Sequence, residues 1–145
     1  MLDHTFVPAA EPRSDDRRRF TLEQANRSLP YVSRVVGDIC LAYEQVVELR
    51  HELENLDDGS LRNLTEREYE TAMDRLGFLV DELHDTGGEL RDFEQGRVEF
   101  PAHVNGREVM LTWQAGEASV QHWRPLRNDD DQVYHLASLY GNEAA

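Results

Sequence analysis

The residues best suited to chemistry lie between Glu99 and Arg124. Glu99 and Glu117 supply two carboxylates, His122 a titratable base and Arg124 a fixed cation, and among them stand Trp113 and Trp123, the two tryptophans of the chain. Two carboxylates can divide acid and base roles only when their surroundings tune them differently. Here that requires the strand carrying Glu99 to lie beside the one carrying His122. The plainer reading gives Glu117 to a turn, where it accepts amide hydrogens or pairs with Arg97 or Arg124. It makes His122 a core or boundary histidine satisfied by one hydrogen bond.

Elsewhere the chemistry is thinner. Glu48-Leu49-Arg50-His51 has the Glu-x-x-His spacing of bundle metal sites, but such a site needs companions at the same level on facing helices. Asp81, not glutamate, stands three residues before His84. A hairpin loop centred near residues 60 and 61 would set His51 opposite Glu70 and His84 opposite Gly37, far apart along the axis. Cys40, on an apolar helix face, reads as a small buried hydrophobe rather than a nucleophile. No glycine-rich phosphate loop, Ser-His-Asp order or zinc spacing occurs. No metal, cofactor or catalytic residue is assigned.

The elements that would position these residues follow from periodicity. Residues 1–19 hold prolines and mixed charge without period, including Arg17-Arg18-Arg19, and read as a flexible, solvated arm. FTLEQAN opens the fold, with Thr21 and Gln24 as a capping box and Phe20 as a hydrophobic staple. Pro30 predicts a break, giving a short helix over about 21–28 and a new one over about 30–56. Val32, Val35, Ile39, Ala42, Val46, Leu49, Leu53 and Leu56 repeat by threes and fours, as in a coiled-coil-like seam. After LDDGSLRNL, Thr65 and Glu68 predict a second capping box. The seam Tyr69, Ala72, Leu76, Leu79, Leu83, Thr86, Leu90 and Phe93 then extends a helix over about 65–95, ending at Gly96. The two long helices form an antiparallel hairpin.

Beyond Gly96 the period changes to two. RVEFP, REVMLTW and ASVQHW predict strands over about 97–100, 107–114 and 118–124, the first two joined by Asn105-Gly106, a hairpin turn signal. A tight turn at Ala115-Gly116 would pair Trp113 with Ala118, Leu111 with Val120 and Val109 with His122. His122 would then face the core and Trp123 the opposite side. Residues 127–145 read as an acidic tail with one or two helical turns through Val133, Leu136 and Tyr140. The fold class is α+β: a long antiparallel helical hairpin preceded by a short helix, with a three-stranded antiparallel meander, in one domain over 20–126.

Composition narrows the partners. The chain has 145 residues, 39% hydrophobic and 30% charged, with a net charge of −14. That charge argues against wrapping nucleic acid and against anionic membranes. All 15 basic residues are arginine. A single cysteine rules out an internal disulfide, and no signal-like or membrane-spanning run occurs, so a cytoplasmic setting is expected.

FTLEQANRSLPYVSRVV, GELRDFEQGRVEFPA, and LTWQAGE followed by VQHW occur in that order. Over residues 20 to 126 the chain resembles the bacterial DUF2203 proteins, a family without an assigned activity. Three positions depart from the phrases of that family. Thr112 stands where cysteine precedes the first tryptophan, Arg124 where histidine follows the second, and Glu99 where the family has aspartate. The resemblance implies no substrate or cofactor.

Val36, Cys40, Tyr43 and Val47 on the first helix, with Met73 and Val80 on the second, are apolar residues beside the seam and more than a two-helix hairpin needs. Either the sheet of the same chain covers them or a second copy does. The expected function is a non-enzymatic protein–protein interaction or assembly module, a homodimer through the hairpin. Glu99, Trp113, Glu117, His122, Trp123 and Arg124 form a candidate partner or ligand surface. The alternative is a small enzyme or metal- or ligand-binding protein built on the polar meander residues.

Overall fold

The computed structural model describes residues 19–126 and 132–144, and side chains as far as residue 140. Two helices, α1 (Leu22–Glu54) and α2 (Ser60–Asp85), are followed by strands β1 (Glu89–Asp92), β2 (Arg97–Val104), β3 (Arg107–Gln114), β4 (His122–Pro125) and β5 (Tyr134–His135), and by a last helix α3 (Ala137–Ala144). The strands form one sheet in the order β1-β2-β3-β4-β5, every neighbouring pair antiparallel. The meander therefore has five strands, where the pattern predicts three. The two extra strands are short edges, too short for a period of two to register.

The chain is capped at its entry as expected. Thr21 Oγ1 accepts the amide of Gln24 and Gln24 Oε1 accepts that of Thr21, while Phe20 is buried edge-on against Phe100 and bridges to Ala102. The expected break at Pro30 is absent. α1 runs through it for 33 residues. A proline inside a helix costs on the order of 3 kcal/mol, yet its flanking residues Leu29, Val32 and Val35 are all buried, and their burial at about 1.5–3 kcal/mol each outweighs that cost.

α2 starts five residues before its expected cap. Thr65 is not a cap but a buried residue inside the helix, its hydroxyl bonded to the Leu61 carbonyl. The start follows Gly59, whose φ of 148° reverses the chain, and Arg62 reaches back to the Leu53 and Leu56 carbonyls left open at the end of α1. At the far end Tyr31 donates to Glu82. Contacts near the loop and at the far end together make the pair an antiparallel hairpin.

α2 also ends ten residues early, at Asp85. Gly87 has φ 99°, and a Cβ on Gly88 would lie 3.1 Å from Val98 and 3.3 Å from Phe100. The double glycine lets the chain turn tightly and lie on the sheet, so Leu90 joins β1 instead of continuing a helix. Gly96, expected as a helix C-cap, instead closes the turn between β1 and β2, donating to Asp92 and accepting from Ala115.

One face of the sheet packs on the hairpin. Val98, Phe100, Ala102, Val104, Val109, Leu111, Trp113 and Trp123 join Ile39, Val46, Leu76 and Leu83 in a single core, with Leu139 of α3 at its margin. Residues 1–18, including Arg17 and Arg18 of the expected arm, and residues 127–131 of the acidic tail lie outside the described residues. Arg19 is held by an ion pair with Glu108 at 2.9 Å.

Candidate functional site

The candidate residues are sorted by the register of β4. His122 pairs with Thr112 and Trp123 with Leu111, three residues away from the pairing that a tight turn predicts. An odd shift exchanges the faces of a strand. Trp123 therefore enters the core face beside Trp113, and His122 and Arg124 move to the opposite face, joining Glu99 and Thr112. The cause is the length of the connection. Gln114 to Glu117 form a turn with Gly116 at φ 101°, but residues 118–121 continue as a loop whose Val120 is buried and donates its amide to Asn26 Oδ1 at 2.7 Å.

On the face turned away from the helices Glu99 is completely buried. Arg124 holds it in two hydrogen bonds, Nε to Oε2 at 2.6 Å and Nη2 to Oε1 at 2.8 Å. Arg91 and Arg97 approach it at 3.4 and 3.5 Å. A bidentate arginine–carboxylate pair of this kind is directional and strong. Sequence reasoning named Glu99 and Arg124 as candidates but offered both Arg124 and Arg97 to Glu117 instead of Glu99, and it missed Arg91. The signal for both was the period of two: Arg97 shares the parity of Glu99 on β2, and Arg91 lies on the strand beside it.

Glu117 belongs to its turn. Its Oε1 accepts the Gln114 amide and its carbonyl accepts the Trp113 indole, both at 2.9 Å. Its other oxygen lies 3.8 Å from His122 Nδ1, beyond hydrogen-bond length, with side-chain exposures of 30% and 37% for the two residues. Thr112, opposite His122, makes this trio look like a hydroxyl, a base and an orienting carboxylate. The geometry does not support that chemistry, because Thr112 Oγ1 is buried with no partner and the base is not hydrogen-bonded to its carboxylate. Glu99 and Glu117 are likewise committed to separate structural contacts.

The other candidates divide between core and surface. Trp113 is in the core. Val36 and Val80 of the expected self-association face are also buried inside the chain, so they are not open to a second copy. Cys40, Tyr43 and Met73 are half-buried and pack against the same core, Tyr43 stacking on Phe93 at 5.1 Å; Val47 is half-buried beside them. Burial pushes the Cys40 thiol up, with Glu44 and Asp92 adding to it, which disfavours the thiolate. His51 is exposed and lies 3.9 Å from Glu54. Among the described residues no three His, Cys, Asp or Glu side chains gather to hold a metal ion, and no helix is long and apolar enough to cross a membrane.

What the core leaves outside is apolar as well. Phe78 of α2 is 79% exposed and Leu41 of α1 66% exposed, with Tyr31, Leu61 and Leu64 also open. Tyr31 spans the outer seam to Glu82. Two shallow hollows mark the same side, one of about 580 Å³ lined by Arg75, Phe78 and Glu82 and one of about 460 Å³ lined by Gln45, Thr71 and Arg75. Neither Leu41 nor Phe78 has the three-four spacing that picks out a seam, so sequence reasoning passed over both.

The family described as "Uncharacterized conserved protein (DUF2203)" matches residues 18–129. The chain belongs to the DUF2203 family. No curated protein and no solved structure matches it. In this DUF2203 protein Glu99, Thr112 and Arg124 all lie on the sheet face turned away from the helical hairpin, and all three are buried. Thr112 is the register partner of Glu99, and Arg124 is bonded to Glu99, so the three residues form one local group.

Proposed function

We propose that this DUF2203 protein is a non-enzymatic assembly module of the cytoplasm that pairs with a second copy through the outward side of its helical hairpin. The observation that carries this reading is the pair Leu41 and Phe78, large apolar side chains on two neighbouring helices, turned away from a core that is already closed by the sheet. A solvated phenylalanine on a helix that also carries a complete buried face has no role in the fold of its own chain.

Gly37 supports the same reading. It lies in mid-helix on the exposed side of α1, and a Cβ there would meet nothing within 4 Å. Glycine in a helix interior costs about 1 kcal/mol against alanine, so its absence of a side chain is not required within the chain. It leaves a low place in the helix surface that a ring from a partner can enter. A two-fold pairing uses the same patch twice, each copy offering Phe78 and Leu41.

The reading is tested by sedimentation or native mass spectrometry on wild type, Phe78→Glu and Leu41→Glu. Burial of one phenylalanine contributes about 2 kcal/mol, doubled by symmetry, so Phe78→Glu is expected to weaken the dimer by at least about a hundredfold. Its circular dichroism should match wild type, because the side chain lies outside the core. A wild-type chain that stays monomeric at about 100 times the low-micromolar range would end the proposal.

A further inference from the structure

We propose that β5 and α3 form an acid-released strap over the edge of β4, with His135 as its trigger. The strap is held by few contacts. β5 is two residues long, His122 pairing with His135 and Trp123 with Tyr134. Beyond it the Leu136 amide donates to the Gln121 carbonyl at 2.9 Å, the Trp123 indole to Ser138 Oγ at 3.0 Å, and Asn105 Nδ2 to the Leu139 carbonyl at 3.2 Å. Leu139 is the one strap side chain that is fully buried among those described.

His135 occupies the point where this strap turns into α3. Its Nδ1 accepts the Ala137 amide at 3.0 Å, satisfying one of the open donors at the start of the helix. Only an unprotonated Nδ1 accepts; an imidazolium has no acceptor left. Its ring also faces that of His122, centroids 5.7 Å apart and nearly perpendicular. Histidine changes charge between about pH 5 and 8. Acid therefore removes the bond to Ala137 and sets two cations against each other across the β4–β5 pair.

The surrounding charges decide which proton matters. Glu117, in the connection before β4, lies 3.8 Å from His122 and offsets a charge there. Arg124, two residues on and on the same face, is held by Glu99, and Arg107 lies over the Trp123 ring at 5.0 Å. Among the described residues no carboxylate is paired with His135 in the same way. A proton on His135 costs the strap its helix-start bond and sets that charge against the ring of His122. The strap is closed at neutral pH and is released as pH falls.

Hydrogen exchange of the intact chain tests this, read as protection factors so that the intrinsic effect of pH is removed. Between about pH 7.5 and about pH 5.5, amides at 136, 139 and 140 are expected to lose protection at least tenfold. His135→Asn retains an acceptor that does not titrate, at an exposed position, and should reduce that change to less than twofold. The control is β1, at the far edge of the sheet, where His84 Nε2 faces the Leu90 amide. Constant protection in the wild-type strap, an unaltered response in His135→Asn, or an equal loss at β1 would each overturn the proposal.

Discussion

Glu99 and Arg124 show how a charged pair is buried on the sheet face turned away from the helices. The carboxylate has no solvent contact, and its two short bonds both come from Arg124. Arg91 and Arg97 stand farther off, at 3.4 and 3.5 Å. Removing one partner of a buried pair leaves an uncompensated charge, at a cost of roughly 3 kcal/mol or more. Arg124→Ala is accordingly expected to lower the free energy of unfolding in urea by about 3 kcal/mol. Replacing the pair together, as Glu99→Leu with Arg124→Met, should cost less than the single change. If the single substitution proves the milder of the two, the remaining arginines satisfy Glu99 and the pair is not the lock described. The two residues were visible in the sequence as candidates, but their partnership was not. It depends on the parity of β4, and one connection miscounted by an odd number sends Arg124 to the wrong side.

At the scale of elements, what could be read were the long repeats. The three-four spacing from Val32 to Leu49 and from Ala72 to Leu83 corresponds to buried positions throughout, because each such residue is counted many times over by its neighbours in the pattern. Punctuation was read less well. Pro30 is a local signal overruled by the burial of Leu29, Val32 and Val35, and Gly87-Gly88 is a break that continued apolar spacing at Leu90 and Phe93 concealed. Gly96 was recognised as special for the wrong reason. Its φ of +70° serves a strand turn, and a Cβ there would stand 2.8 Å from Ala115 Cβ, 2.9 Å from Val36 Cγ1 and 3.3 Å from Cys40 Sγ. This glycine lets the β1–β2 turn sit directly on α1. Gly96→Ala combines backbone strain with overpacking against two groups that cannot swing aside, and is expected to destabilise by about 2–4 kcal/mol. Thermal denaturation would show it, and Gly106→Ala is the matching control: a positive-φ turn glycine where a Cβ meets nothing within 4 Å. Equal effects at the two sites would mean that backbone conformation alone sets the cost.

For the whole molecule, charge and apolar surface pull in opposite directions. A chain of net charge −14 repels its own copy, and that repulsion acts over a distance of about 10 Å at 0.1 M salt. The outward side of the hairpin meets it with Leu41 and Phe78 amid residues of both signs, among them Arg34, Arg75, Asp38 and Asp74. If apolar contact drives the proposed pairing, added salt screens the repulsion and leaves the attraction untouched. The dimer should then tighten, by about tenfold between about 0.02 and 0.3 M sodium chloride, as the Debye length shrinks from about 20 Å to about 6 Å. Ion pairs across the interface would give the opposite slope, since screening weakens them. Sedimentation equilibrium across that range separates the two. A dissociation constant that rises with salt would mean that arginine–carboxylate contacts hold the copies together and that Phe78 is incidental to them.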